Sequence, residues 1–253
     1  MYVYLYDNFL RQRKFDATVK EMETRLTDFG IAGKILRLVP FTNAEALIEE
    51  EKRRGADTVV IVGNDTTFAH VLSRAARCDI LFGFLPVGPE NTIAEVLGIP
   101  ANPLACEVLS KRRKVKLDVG WFNNRYFVSQ LHIPPAHFSV EYDEQFHVTS
   151  EAQMELVVCN LQPFRWKGKH NNNSLVVHPQ DGKLEAFLRP VVGRGVLRNI
   201  YEEPSIFPFE EMIVKAKEPF LVEADGRESK ETKITIKLAK HRLEMIVGKE
   251  RKF

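Results

Sequence analysis

The stretch ADTVVIVGNDTTFAHVL, residues 56–72, joins an apolar run to a helical segment through a polar turn. Residues 59–62 form a short run of apolar, β-branched side chains, which predicts a strand covered on both faces. Phe68, Val71 and Leu72 then recur at helical spacing. The turn between the strand and the helix reads Gly63-Asn64-Asp65-Thr66-Thr67.

Two interpretations of this turn are open on its own residues. In the first, Gly63 ends the strand and Asp65 or Thr66 caps the helix, because short polar side chains accept N–H bonds there. In the second, the turn lies at the carboxyl end of a parallel strand, where α/β sheets bind ligands. The N–H groups and hydroxyls would then hold phosphate, and the carboxylate would hold Mg²⁺ or orient a nucleotide.

Strand and helix patterns alternate through the first 110 residues. Predicted strands cover residues 2–6, 35–39, 58–62 and 80–85, and predicted helices cover residues 15–29, 43–54 and 67–77. Such alternation is typical of a parallel sheet with both faces covered by helices. Residues 1–110 are therefore predicted to form an α/β domain.

Short alternating runs replace the helical pattern after Lys111. These runs cover residues 114–119, 125–131, 138–142, 154–159, 184–188, 220–223, 234–238 and 243–247. Turn residues such as Asp225-Gly226 separate several of them. The pattern predicts an antiparallel β-sandwich domain over residues 111–253.

Composition excludes several classes of protein. The formal charge of +2 gives no overall attraction to nucleic acid or to an anionic membrane. The three cysteines, Cys78, Cys106 and Cys159, are widely spaced, as is usual for buried thiols in a reducing cytoplasm. The first residues lack the basic start of a secretory signal, and no apolar run approaches the ~18 residues of a membrane span. We therefore expect a soluble, cytoplasmic protein.

A second special turn follows the fourth predicted strand, in FLPVGPENTIAEVLGIP, residues 84–100. Gly88 and Asn91 lie between this strand and a short amphipathic segment. Because the carboxyl ends of parallel strands meet at one edge of a sheet, the two turns are expected to lie close together.

The two stretches together resemble the catalytic domain of the diacylglycerol kinase family, which includes bacterial lipid kinases and sphingosine kinases and is structurally related to NAD kinases. The family pattern is a strand, GGDGT and a helix, followed by a strand, LPLGTGNDFAR and LGIP. Residues 63–67 and 85–95 stand at these two motifs, and Asp225-Gly226 stands where the family has V-D-G-E. Similar segments follow in the same order through nearly the whole chain, and the closing strand of the family returns to the first domain.

The resemblance implies a site. ATP and Mg²⁺ would be the cofactors, and a diacylglycerol-like lipid or a related alcohol would accept the phosphoryl group. The nucleotide would contact residues 63–67, above all Gly63, Asp65 and Thr67. Gly88 and Asn91 would complete the pocket, while Asp225 would be the general base or a metal partner. No residue is assigned as a metal ligand. Without the resemblance, Asp225-Gly226 is better explained as a plain hairpin turn.

Departures from the family pattern concern the loops that would face phosphate. Asn64 and Thr66 replace glycines, although a β-branched residue tolerates a positive φ poorly. Pro89-Glu90 replaces threonine-glycine, which removes an N–H donor and adds a negative charge. The segment 7–10, Asp-Asn-Phe-Leu, stands in place of the family's NP-x-SG loop.

Other departures lie in the second half of the chain. The region 131–154 is shorter than in the family, and Arg227 replaces the glutamate of DGE. The basic residues 111–114 are either a solvated linker or a contact for phosphates or the anionic headgroups of a membrane surface.

Three functional hypotheses follow. The first is an ATP-dependent kinase of a lipid or related alcohol, and the second is a non-catalytic relative that binds a nucleotide, lipid or protein partner. The third is a kinase of an unusual soluble acceptor. In each case residues 63–67 are expected to line a cleft opposite Asp225. The sequence assigns neither the acceptor, nor the nucleotide, nor the oligomeric state.

Overall fold

The computed structural model describes residues 1–39, 42–143, 146–167, 172–195 and 199–253. The chain forms two compact units. The first comprises Met1–Leu117 together with His241–Phe253, and the second comprises Asp118–Lys240.

Helices occur only in the first unit among the described residues. The α-helices are α1 (Asp16–Asp28), α2 (Ala44–Arg53), α3 (Asp65–Ala75), α4 (Thr92–Val96) and α5 (Ala105–Ser110). Single 3₁₀ turns cover Asn8–Arg11, Arg13–Phe15 and Asn102–Leu104. None of the described helices is both long enough and apolar enough to span a bilayer.

The strands are numbered in chain order. Those before the second unit are β1 (Tyr2–Tyr6), β2 (Lys34–Arg37), β3 (Thr58–Gly63), β4 (Leu81–Pro86) and β5 (Lys114–Leu117). The second unit contains β6 (Gly120–Phe122), β7 (Arg125–Phe127), β8 (Gln130–Ala136), β9 (Ser139–Tyr142), β10 (Phe146–Val148), β11 (Met154–Cys159), β12 (Phe164–Lys167), β13 (Asn172–Leu175), β14 (Leu184–Arg194), β15 (Asn199–Tyr201), β16 (Ser205–Phe209), β17 (Glu211–Ala224) and β18 (Arg227–Leu238). The last strand is β19 (Leu243–Ile246).

The sheet of the first unit has the order β2-β1-β3-β4-β19-β5. All neighbours are parallel except β19 and β5, which pair antiparallel. Every residue of β3 and β4 is buried, because both strands are central and helices cover the sheet. The rings of Phe68 on α3 and Phe84 on β4 lie 4.8 Å apart and join one helix to the sheet.

The strand that begins at Lys114 lies in this first sheet, at its edge. The alternating pattern of residues 114–119 instead predicts a strand of the second domain. Its alternation of exposed lysines, Lys114 and Lys116, with less exposed residues suits an edge strand as well as a sandwich strand. The alternation alone therefore cannot decide which sheet the strand joins.

The second unit is built on one antiparallel sheet of 11 strands. Its longest strands, β17 and β18, pair along most of their length, while β17 also pairs with β9 near its start and with β8 near its end. Apolar side chains from across this sheet form a buried cluster that includes Phe122 on β6, Phe209 on β16 and Ile234 on β18. The predicted fold class, a parallel α/β part followed by an antiparallel β part, is confirmed.

A charged cluster crosses four strands of the second unit, β14, β11, β8 and β17. His132 on β8 lies with Nδ1 3.3 Å from Glu223 Oε2 on β17 and with Nε2 3.1 Å from Glu155 Oε1 on β11. Glu155 also pairs with Arg189 on β14. Burial alone would lower the pKa of His132, but the two carboxylates outweigh burial and raise it.

The raised pKa of His132 predicts a pH-dependent stability. The folded chain holds the imidazole proton more tightly than the unfolded chain, so the stabilisation is complete below about pH 6.5, the unfolded pKa. It is lost as the pH rises through the higher folded pKa. Urea unfolding between about pH 6 and pH 9 should show this loss, and His132→Gln should flatten the profile. Substitution of the exposed His147 by Gln is the control, and a wild-type profile equal to that of His132→Gln would contradict the prediction.

Candidate functional site

The first turn places a tight polar network at the end of β3. The Asn64 side chain accepts a bond of 3.1 Å from the Thr67 N–H, and the Asn64 N–H donates to Thr67 Oγ1 at 3.4 Å. This reciprocal capping box starts α3 at Asp65. Gly63 permits it, because a Cβ there would lie 2.5 Å from Thr67 Oγ1. The cap of α3 is therefore Asn64, whereas the first interpretation of the sequence placed the cap at Asp65 or Thr66.

The Asp65 side chain reaches the second turn. Its two carboxylate oxygens accept the Ile93 N–H at 3.0 and 3.1 Å, at the start of α4. The backbone reinforces this link, because Asp65 N–H donates to Glu90 O at 2.9 Å and Val87 N–H donates to Gly63 O at 2.7 Å. Asp65 thus joins the two special turns and takes up the N–H groups at the start of α4.

Burial sets the electrostatics of Asp65, whose residue is 9% exposed. Burial raises the pKa of this carboxyl to about 6, although the N–H groups of residues 92–94 oppose the rise. The nearby Glu90 adds to the rise in pKa by repulsion. The carboxylates of Asp65 and Glu90 are thus close enough to repel each other.

The second turn contains two residues in the left-handed region. Gly88 has a φ of 93° and Glu90 has a φ of 64°. The conformation suits glycine but is strained for glutamate. The Asn91 amide donates to Gly88 O at 2.7 Å, and its buried Oδ1 has no hydrogen-bond partner among the described residues. Asn91 therefore shapes the turn and keeps one unused acceptor.

A cavity of about 380 Å³ opens in the first unit, beside the carboxyl ends of β1, β2 and β3. Its described lining consists of Asp7, Asn8, Phe9, Leu38, Val39, Thr42, Ala44, Asn64, Thr66, Thr67 and His70. Three predicted nucleotide-binding residues, Asn64, Thr66 and Thr67, are therefore brought together in its wall. The lining does not include Gly63, Asp65, Gly88 or Asn91, which form the connection between the two turns.

Asp7 is a functional candidate that the sequence analysis did not assign. Its Oδ2 accepts a bond of 2.6 Å from Thr67 Oγ1, and its Oδ1 accepts the Phe9 N–H at 2.9 Å. The departure of residues 7–10 from the family loop was visible in the sequence. The partner of Asp7 was not, because Thr67 lies 60 residues away.

Asp225 belongs to the second unit. With Gly226 it forms the two-residue turn between β17 and β18, at φ values of 47° and 73°. Its carboxylate accepts the N–H groups of Val128 at 2.6 Å and Ser129 at 3.2 Å, and also the Ser129 hydroxyl. A further bond of 3.3 Å comes from the Gln130 N–H. Burial raises the pKa of Asp225, which is 7% exposed.

The hydrogen bonds of the Asp65 and Asp225 carboxylates bear on whether these residues could bind Mg²⁺. No group of three or more His, Cys, Asp or Glu side chains among the described residues is placed to hold a metal ion. The carboxylate oxygens of Asp65 and Asp225 accept backbone N–H bonds in this arrangement, so a metal ion at either side chain would compete with those bonds. The described residues therefore do not assemble a magnesium site by themselves.

The bond between Asp65 and α4 predicts a local effect of substitution. Asp65→Ala removes the acceptor for the first N–H groups of α4 and should lower the free energy of unfolding by about 1–2 kcal/mol. It should also speed hydrogen exchange at the Ile93 N–H, which native-state exchange measures.

A matched control is Asn43→Ala, because the Asn43 side chain caps α2 through the Ala46 N–H at 3.1 Å. This variant should lose a similar stability, by about 1 kcal/mol, without loosening Ile93. Unchanged exchange at Ile93 in Asp65→Ala would contradict the role of Asp65 in joining the turns.

Comparison with known proteins gives a consistent result. The family model "Diacylglycerol kinase catalytic domain" matches residues 4–122. A diacylglycerol kinase of Staphylococcus haemolyticus (strain JCSC1435) is 29% identical over 90 residues. That match spans 34% of this chain but only 27% of the relative's own length.

Solved structures with the same fold cover nearly the whole chain. A diacylglycerol kinase structure from Bacillus anthracis str. Sterne has a TM-score of 0.77 at 17% identity, covering 99% of this chain and 97% of its own. A putative diacylglycerol kinase from the same strain has a TM-score of 0.78 at 16% identity, covering 98% of each chain. At such identities the likeness shows the fold. Residues 4–122 thus match the diacylglycerol kinase catalytic domain, and the predicted resemblance to this family is confirmed.

Proposed function

We propose that the protein is a lipid kinase-like phosphotransferase that uses ATP to phosphorylate a diacylglycerol-like lipid or a related alcohol. One observation supports this most directly. The cavity beside β1, β2 and β3 lies within the segment that matches the kinase domain, and Asn64, Thr66 and Thr67 line it. A volume of about 380 Å³ is within the usual range of small-ligand sites.

The roles of the remaining residues follow from their bonds. Gly63 leaves room for the Thr67 side chain of the capping box and Gly88 leaves room for the Phe9 ring, while the bonds of Asp65 and Asn91 fix the shape of the two turns. In the proposed reaction Asp225 is the general base, and its raised pKa makes it a better proton acceptor. The acceptor alcohol would replace the Ser129 hydroxyl, which is the one hydroxyl of the described residues that bonds to this carboxylate.

Nucleotide affinity is expected to be weak. Pro89 lacks an N–H donor and Glu90 adds a negative charge to the loop that corresponds to a phosphate-facing loop of the family. Mg²⁺ enters the proposal only as the counter-ion of the nucleotide phosphates, because one or two carboxylates plus phosphates usually hold it.

A second candidate function is a non-catalytic relative that binds a nucleotide, lipid or protein partner. The specific observation in its favour is that the carboxylate oxygens of Asp65 and Asp225 accept hydrogen bonds from backbone N–H groups. Catalysis by Asp225 requires the acceptor alcohol to take the place of the Ser129 hydroxyl while the backbone N–H bonds remain.

The basic residues 111–114 are a proposed contact for anionic lipid headgroups. Lys111 pairs with Glu107 at 2.6 Å, and Arg112 donates to the Tyr2 hydroxyl at 2.7 Å. Arg113 and Lys114 are exposed beside them. Two exposed cations contribute modestly to membrane attraction, so the lipid substrate itself would supply most of the contact.

ATP titration by calorimetry, with and without Mg²⁺, tests both candidates when it is combined with a phosphoryl-transfer assay on diacylglycerol micelles. The kinase proposal expects binding near millimolar concentration and transfer that Asp225→Asn abolishes while ATP binding persists. Binding without transfer would support the non-catalytic candidate. No ATP binding and no transfer at millimolar ATP would reject the proposed kinase function.

Glu90 provides a separate prediction. Glu90→Gly should tighten ATP binding severalfold, because it removes a like charge and relieves the positive φ. Glu90→Gln removes the charge but keeps the strained side chain, so equal gains in both variants would identify charge as the cause. Unchanged ATP affinity in both variants would show that this loop does not face the phosphates.

A further inference from the structure

We propose that Asp7 determines ligand specificity in the cavity, which takes the uncharged, hydroxyl-bearing nucleoside part of a nucleotide and directs the phosphates away. This inference rests on the proposed function, because it assumes that a nucleotide enters this cavity. It concerns a residue of this chain that stands where the family has a different loop.

The cavity wall carries a negative charge at Asp7. Among its described lining residues, Asp7 is the one acidic side chain, and His70 is the one basic side chain. A phosphate close to Asp7 would meet a like charge in a partly buried setting, where repulsion is stronger than in water. The polar wall therefore opposes a polyphosphate group at this point.

Two hydrogen bonds fix the orientation of the Asp7 carboxylate. The Thr67 hydroxyl donates to Oδ2 at 2.6 Å, and the Phe9 N–H donates to Oδ1 at 2.9 Å. A carboxylate has about four acceptor positions, so each oxygen retains one. Asp7 can thus accept hydroxyl donors from a ligand without losing its present partners, as acidic residues do with ribose hydroxyls in other nucleotide sites.

Part of the cavity wall is apolar. Leu38, Val39, Ala44 and the ring of Phe9 supply apolar surface in the same cavity. The Phe9 ring is held by an edge contact with Phe15, with the ring centroids 5.3 Å apart. An apolar wall beside an acceptor suits a flat heterocycle attached to a sugar, which is the composition of a nucleoside.

Adenosine and ATP, both without divalent cations, are the probes. The wild-type chain should bind adenosine at least as tightly as ATP. Asp7→Asn should tighten ATP about tenfold, because it removes the charge, and should weaken adenosine severalfold, because an amide has fewer acceptor positions. Asp28→Asn, at the exposed end of α1, is the control for removal of a negative charge elsewhere.

The outcomes separate this inference from the proposed function. If wild type binds ATP more tightly than adenosine, or if Asp7→Asn changes both ligands by the same factor, the specificity role is wrong while nucleotide binding stands. If neither ligand binds to wild type or variant, the specificity role fails, and the proposed function fails with it if ATP with Mg²⁺ also shows neither binding nor transfer. Asp7→Ser, which keeps a capping oxygen for the Phe9 N–H, replaces Asp7→Asn if circular dichroism shows that the latter does not fold. A purely structural role would alter stability without changing the ratio of the two affinities.

Discussion

The bond between the Asp65 carboxylate and the start of α4 is the interaction on which the candidate site depends. It connects the end of β3 to the turn after β4, and the backbone bonds from Asp65 to Glu90 and from Val87 to Gly63 follow the same path. The bond is possible because Asn64 caps α3, so Asp65 is not needed there. Asn64 therefore caps α3 while Asp65 binds the start of α4, and a single polar residue could not do both.

The fold was largely predictable because its signals are local. Continuous apolar runs indicated β3 and β4, and alternation indicated several strands of the second unit but not β10, β12, β13, β15 or β16. The position of β5 was harder, since an edge strand with exposed lysines alternates in either sheet. Pairing with β19 depends on residues more than 120 positions later, and no local pattern records that choice.

The site was predictable only in part. The sequence placed residues 63–67 at the carboxyl end of a buried strand, and Asn64, Thr66 and Thr67 do line a cavity there. The direction of the Asp65 side chain was not evident, because its partner lies 28 residues away. The importance of Asp7 was missed for the same reason, since its bond to Thr67 exists only when β1 and β3 are neighbours. Asp225 lies in the predicted hairpin turn. Its carboxylate is also fully hydrogen-bonded, and the residue type alone does not reveal those bonds.

The position of β19 has a consequence for the synthesis of the chain. β19 lies between β4 and β5, yet it follows the whole second unit in sequence. During translation the first unit therefore leaves the ribosome with an open edge at β4, whose residues are entirely apolar or small. Such an edge can pair with other chains, and long-range strand pairing forms slowly. Truncation that removes β19 would consequently leave the apolar edge of β4 open, and the same edge stays unpaired in a nascent chain until β19 emerges.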